Sequence, residues 1–516
     1  MASKTENIKN LRELLEARAD ASPEKVFLFS EADGRRFTYR EFDAAVNRAA
    51  NMLSARGVGR GDVVSLLLPN GAEYVIAYFA CFKLGALAGP VNSLLKPEEA
   101  AYVVGNSEAK LLLYHTQFAE QVGALRAELK ALGETLVFDD ERAATEGFAS
   151  EPGAAWGDAR LARDDEAIII YTSGTTGRPK GCLLTHGNLL ANARQIVEWL
   201  GFGEEDRLLT VMPLFHMNAV SVTTVSALYA GGSTVVSPRF SASRFWQIVG
   251  DYEVTSFGSV ATMLSMLLAT YPEGVPEGLG ARRLRFAMCG SAPVPAEVLR
   301  RFEETFGCLV VEGYGLSEST CRSTFNPPDA RRRPGSCGMP IGNEMRVVDE
   351  DDAELPDGEA GEIVMRGENV FKGYFRNEEA TARAFRGGWF HTGDVGYRDA
   401  EGFFHIIDRK SDMIIRGGEN IYPREIDELL YKHPAVAEAA AFGVPDELYG
   451  EEVAAFVVLK AGREASADEL AAYCREHLAD FKCPKTVRVV PSLPKGPTGK
   501  VLKRELQALW RESSRQ

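Results

Sequence analysis

Short apolar runs at Val63–Leu68, Lys110–Tyr114, Ala167–Tyr171, Leu208–Val211 and Ser233–Val236 predict strands, and the longer stretches between them read as helices. Strands alternating with helices give parallel α/β layers, so the large N-terminal part is expected to be α/β. The most apolar helical stretch, Glu73 to about Leu84, is broken by Lys83 and nearby Gly and Pro well short of a membrane span, and predicts a buried core helix. From Gly361 the texture changes. GEIVMRGENV and GWFHTGDVGYRDAEGFFHIIDR read as short strands with Gly and polar turns, a β-rich lobe. After Asp408 a helix is expected over Pro423–Lys432, strands at Val436–Val444 and Glu452–Leu459, a helix over Ser466–Ala479 and a strand at Thr486–Val490. That suits a small α+β domain joined at the polar segment Asp408–Asp412, which divides the chain into 1–408 and 409–516.

Length and composition agree. A chain of 516 residues, 45% hydrophobic, has more than one domain's worth of core and no segment biased toward disorder. The net charge of -15 repels a polyanion, and Arg331–Arg333 is the only dense basic run, better read as a solvated loop, so nucleic acid is not an expected partner. The N-terminal residues are charged where a signal peptide needs an apolar core; a cytoplasmic protein without membrane insertion is expected. Eight scattered cysteines with no CxxC pair read as reduced thiols, giving neither a zinc site nor a disulfide framework.

The strongest chemical signal is Tyr171-Thr-Ser-Gly-Thr-Thr-Gly-Arg-Pro-Lys180-Gly181, directly after the strand Ile168–Ile170. Glycines let backbone N–H groups approach an anion, Thr172, Ser173, Thr175 and Thr176 add hydroxyls beside Gly174, and Lys180 adds a point charge. The spacing differs from a Walker A loop, which disfavours a P-loop kinase. A flexible Gly/Thr turn is the plain alternative.

YTSGTTGRPKG closely resembles the phosphate loop of the adenylate-forming superfamily of acyl-CoA synthetases, adenylation domains and firefly-type luciferases. The resemblance extends from Phe37-Thr-Tyr-Arg-Glu41 to Lys500 and implies that fold: a large N-terminal domain of α/β layers plus a β-rich lobe, and a small mobile α+β C-terminal domain. Glu312-Gly313-Tyr314-Gly-Leu-Ser317-Glu318 resembles the family's adenine and magnesium motif, which implies Tyr314 stacked on adenine, Ser317 at the phosphates and Glu318 on Mg²⁺. A flat ring suits a purine, and a hard carboxylate suits Mg²⁺ on ATP phosphates. Gly290-Ser291-Ala292 resembles the segment on the other side of the adenine, although taken alone it is equally a strand ending in a turn. Trp389-Phe-His-Thr-Gly-Asp394 resembles the ribose motif, with Asp394 accepting from the diol and Arg409 joining it; taken alone, Asp394 could be a turn residue.

Lys500, in Lys495-Gly-Pro-Thr-Gly-Lys500, resembles the lysine that completes the adenylation site, where a cation offsets the charge gathered when a carboxylate attacks the α-phosphate. The run from Asp408 to Glu425 resembles the family's hinge and the strand after it. Ser411 stands at the hinge position, commonly Asp or Lys, and Gly417-Gly418 would wall the coenzyme A channel. Met212-Pro-Leu-Phe-His216-Met217-Asn218 resembles the motif lining the acyl pocket, with a satisfied structural histidine as the alternative for His216. LTVMPLFHMNAV and GGSTVVSPRFSASRFW resemble bacterial crotonobetaine/carnitine-CoA ligases. A trimethylammonium tail would favour an aromatic cage or an acid; Met217, Asn218 and Val220 suit a mostly apolar, bulky or cyclic acid at least as well.

The resemblance implies ATP, Mg²⁺ and coenzyme A acting on a small-molecule carboxylic acid, in a monomer or homodimer. A stand-alone adenylation enzyme that loads a carrier-protein thiol, a non-catalytic nucleotide-binding relative and an oxidative luciferase-like activity are the other readings.

Overall fold

The computed structural model describes residues 7–129, 134–138, 160–172, 178–290, 296–417, 419–495 and 501–513. Among them, two large sheets form the bulk of the N-terminal domain. The first runs, edge to edge, Leu309–Glu312, Phe286–Cys289, Ser256–Ser259, Arg207–Thr210, Ser233–Val236, Val26–Ser30 and Arg36–Thr38, parallel except for the last strand. The second runs Gly373–Tyr374, Lys180–Thr185, Glu166–Thr172, Leu87–Pro90, Val63–Leu67, Leu111–His115 and Glu134–Phe138, with Lys180–Thr185 antiparallel to both its neighbours and the remaining pairs parallel. Central parallel strands are covered on both faces, which is why Val63–Leu67 is buried at every residue rather than alternating.

The helix Ala72–Leu84 is buried on nearly every face, Lys83 included, and stops at Gly85 with φ +70°. Lys83 keeps its charge inside by reaching Asp43 and Asn47, each at 2.6 Å. Strand and helix limits follow the sequence expectation to within a residue or two. What the apolar pattern did not contain is the division of the strands between two sheets, since strands distant in sequence, such as Val26–Ser30 and Ser233–Val236, pair directly.

The β-rich lobe pairs Glu344–Val348, Gly361–Arg366, Trp389–Arg398 and Phe404–Arg409 antiparallel. Beyond it, Ile414–Arg416, Glu419–Ile421, Val436–Asp446, Gly450–Leu459 and Thr486–Val489 form a separate sheet with the helices Pro423–Lys432, Ala467–His477 and Lys503–Ser513. This small C-terminal domain has its own hydrophobic clusters, one around Ile414, Leu430, Val453 and Leu470 and one around Phe442, Phe456 and Leu506. Arg331–Arg333 does lie in a loop but is not simply solvated: Arg332 is held by Glu303, and Arg333 by Asp399 and Glu401 at 3.1 and 3.0 Å.

Candidate active site

Thr172 and Lys180 are register partners at the ends of two antiparallel strands, so they close the base of the glycine-rich loop. Ser173, Gly174, Thr175 and Thr176 lie outside the described residues. From this base Thr172 Oγ1 donates to Glu318 Oε1 at 3.2 Å, and the Tyr374 hydroxyl donates to the same oxygen at 3.1 Å. Lys180 Nζ stands 4.4 Å from the centroid of the Tyr374 ring. The phosphate-loop stem, the motif acid and Tyr374 are thus one cluster. Burial, then Glu318, pushes the Tyr374 phenol well above its usual range, so it stays a donor.

Glu318 sits in a single helical turn, Ser317–Ser319, with Ser317 half-buried beside it. No group of three or more His, Cys, Asp or Glu able to hold a metal occurs among the described residues. A lone carboxylate fits Mg²⁺ that takes its other ligands from substrate phosphates and water, and does not fit a protein-caged metal.

The ribose candidates converge. Asp394 and Arg409 are register partners on adjacent antiparallel strands, and Arg409 Nε lies 3.0 Å from Asp394 Oδ1. The Tyr314 hydroxyl donates to Asp394 Oδ2 at 2.6 Å. Asp394 is 3% exposed, so its charge rests on these donors. Its carboxylate raises the Arg409 guanidinium, and burial followed by Asp394 lifts the Tyr314 phenol well above its ordinary value.

Gly313 and Gly315 are required here by close approach. A Cβ on Gly315 would stand 2.1 Å from the Cys321 carbonyl oxygen, and one on Gly313 2.5 Å from the Phe325 ring. Gly290, at the end of Phe286–Cys289, lies beside this turn, while Ser291 and Ala292 fall outside the described residues. Glu312 is directed elsewhere, accepting the Gly335 N–H at 3.0 Å; burial pushes its carboxyl up to about 7.

The candidate acyl-pocket motif runs into a wide helix, Asn218–Val225, in which Thr224 Oγ1 donates to the Ala219 carbonyl, five residues back, at 2.8 Å. Such widened turns recur at functional sites. His216 has a buried Nε2 without a hydrogen-bond partner among the described residues, and burial lowers its imidazole to about 4, so the ring is neutral at ordinary pH. Asn218, 4% exposed, has neither amide atom partnered among the described residues, and its Oδ1 would be 2.6 Å from a Cβ on Gly258. Met217 and Val220 pack into the main hydrophobic core.

Tyr374 and Arg322 escaped the sequence reading. Tyr374 carried no motif, and Arg322, four residues after Glu318 in the polar run SESTCRST, looks like a loop cation; yet it is 1% exposed. At the domain joint, Asp408 Oδ2 accepts the Arg424 N–H at 2.9 Å and lies 3.9 Å from Lys503 Nζ, while Ser411 is an exposed turn residue next to Asp412. Gly417 is exposed with φ +59°. Gly418 and Lys500 lie outside the described residues; the Lys495–Val501 bridge closes the base of the loop that carries Lys500.

Residues 15–375 match the AMP-binding enzyme family and 425–500 the AMP-binding enzyme C-terminal domain. A sulfoacetate–CoA ligase of Cupriavidus necator is 38% identical over 96% of this chain and 97% of its own. A feruloyl-CoA synthase of an Amycolatopsis species is 38% identical over 92% and 94%. Among solved structures, ATP-bound MatB from Rhodopseudomonas palustris superimposes with a TM-score of 0.90 at 32% identity, covering 98% of this chain and 99% of that one. The o-succinylbenzoate CoA synthetase of Bacillus subtilis, in complex with its acyl-adenylate intermediate, gives 0.85 at 34% identity over 97% and 98%.

Proposed function

The chain belongs to the AMP-binding enzyme family and is an ATP-dependent acyl-CoA synthetase, and on that premise we propose how its residues divide the work. The reaction joins a carboxylic acid to ATP, giving acyl-AMP and pyrophosphate, then moves the acyl group to coenzyme A and releases AMP. Making the adenylate first supplies a good leaving group to a poor electrophile.

The observation that carries the residue assignment is the convergence of Tyr314 and Arg409 on buried Asp394, next to the Thr172–Glu318–Tyr374 cluster. Asp394 receives the ribose hydroxyls and Tyr314 flanks the adenine, with Ser317 facing the phosphates. The stem residues Thr172 and Lys180, together with Ser173, Gly174, Thr175 and Thr176, hold the phosphates. Gly290, Ser291 and Ala292 border the adenine. Glu318 holds Mg²⁺, which when bound neutralises phosphate charge. Neutral His216 offers an uncharged polar nitrogen at the acyl carboxylate, and Lys500 stabilises charge as the acid attacks the α-phosphate.

The boundary falls after residue 408, and Ser411 is the pivot about which the C-terminal domain alternates between presenting Lys500 and bringing Gly417 and Gly418 to the pantetheine channel. A turn residue that accepts φ/ψ change suits that task. A cytoplasmic setting belongs to the same proposal, supported by dependence on ATP and coenzyme A and by eight free thiols.

The test is a panel of carboxylic acids with Mg-ATP, following pyrophosphate release and product mass with and without coenzyme A. Acyl-CoA together with AMP is expected. Adenylate that accumulates and ignores coenzyme A, but loads a carrier-protein thiol, would replace this reading with the carrier-loading one.

A further inference from the structure

Arg322 is a buried cation that meets no counter-charge among the described residues. It is 1% exposed, and its Nε and Nη2 have no hydrogen-bond partner among the described residues. Its backbone is fixed: the Arg322 carbonyl accepts from Asn192 Nδ2 at 2.6 Å and from Asn369 Nδ2 at 3.4 Å. The guanidinium faces the Phe325 ring, 5.4 Å to the centroid, which offers a quadrupole but no acceptor. No salt bridge to Arg322 occurs among the described residues. A buried guanidinium left this way is costly unless something binds it.

The position of the group says what that is. A Cβ on Gly290 would stand 2.7 Å from both Nη1 and Nη2 of Arg322, so the guanidinium lies against bare backbone at the end of Phe286–Cys289. On the neighbouring strand, Gly258 is the register partner of Met288, two residues before Gly290, so the missing side chains of Gly258 and Gly290 belong to one face of the sheet. Asn218, likewise buried and with its amide unpartnered among the described residues, lies against Gly258. Strand geometry separates the two glycines by roughly 8 Å. Two side-chain-free positions on one sheet face are thus each covered by an orphan polar group, one cationic and one amide, at the acyl-pocket motif. Neither group suits an apolar tail, and the cation repels a trimethylammonium one.

Building on the acyl-CoA synthetase reading, we propose that the acid carries a second anionic group at the end remote from the reacting carboxylate, which Arg322 binds through its guanidinium fork while Asn218 supplies a further hydrogen bond. A carboxylate or sulfonate matches that fork in charge and geometry. The burial that makes the free cation costly also makes the pocket selective, because a tail without the anion leaves Arg322 unpaired in the complex.

The experiment compares kcat/KM for glutaric and adipic acids with that for valeric acid, hexanoic acid and monomethyl glutarate, in the wild type and in Arg322→Met and Arg322→Lys. The wild type is expected to prefer the doubly charged acids on the order of a hundredfold. Arg322→Met levels or reverses that preference with KM for ATP unchanged, and Arg322→Lys keeps part of it. A wild-type preference for uncharged tails overturns the proposal, whether or not either variant folds. A rise in KM for ATP, or an equal loss for every acid, in a variant that melts like the wild type also overturns it, by making Arg322 a nucleotide contact or a structural group. Failure to form any acyl-CoA, from charged and uncharged acids alike, strikes instead at the synthetase reading on which the proposal rests.

Discussion

The hydroxyl of Tyr314 donates to Asp394 at 2.6 Å, linking two residues 80 positions apart. The aromatic side chain assigned to the adenine therefore also steadies the carboxylate assigned to the ribose. Tyr314→Phe keeps the ring and removes that bond to a buried anion, and is expected to raise KM for ATP about tenfold, with KM for the acid unchanged. Asp394→Ala should raise it much further. Steady-state kinetics at saturating acid decides, and an unaltered ATP dependence in both variants would remove them from the nucleotide site.

Lys500→Ala is expected to abolish adenylate formation, by a factor on the order of a hundred or more, while sparing thioester formation from supplied acyl-AMP. Equal loss in both half-reactions would count against alternation of the C-terminal domain between two poses.

Glu318 Oε1 accepts from both Thr172 and Tyr374. Glu318→Gln should raise the Mg²⁺ concentration for half-maximal pyrophosphate release by about tenfold, and Tyr374→Phe should shift it less, since it leaves the carboxylate in place. Superimposable Mg²⁺ titrations of Glu318→Gln and wild type would show that the carboxylate is not a ligand.

Burial raises the Glu312 carboxyl from 4.5 to about 7. A raised acid favours the folded state fully below pH 4.5 and loses that contribution as pH rises through about 7. Glu312→Gln keeps an acceptor for the Gly335 N–H and cannot ionise. Its stability relative to wild type should therefore climb from near zero at the acid end to about 3 kcal/mol above neutrality, measured by denaturant unfolding across pH. A pH-independent difference would refute the assignment.

The site was legible in the sequence wherever chemistry sits in a contiguous motif. Thr172, Lys180, Glu318, Asp394 and Arg409 could each be named because the motifs that carry them resemble those of the adenylate-forming superfamily, and the structure sets Thr172 on Glu318 and Arg409 on Asp394. Tyr374 could not, because its partner Glu318 lies 56 residues away and nothing local distinguishes it from a core aromatic. Glu312, placed with the nucleotide residues by its neighbours in the motif, turns toward Gly335.

By itself the sequence determined the class of fold and the change to a small C-terminal α+β part, since apolar periodicity is a local property written residue by residue, and its contiguous motifs resemble those of the adenylate-forming superfamily closely enough to imply the reaction. Only the tertiary structure decided how the strands divide between two sheets and which polar side chains are buried together. Burial is a property of packing and not of the residue. An arginine in a polar run looks solvated until Gly258 and Gly290 are seen on one sheet face, with Asn218 and Arg322 closed over them and, among the described residues, no hydrogen-bond partner for the Asn218 amide or for Arg322 Nε and Nη2.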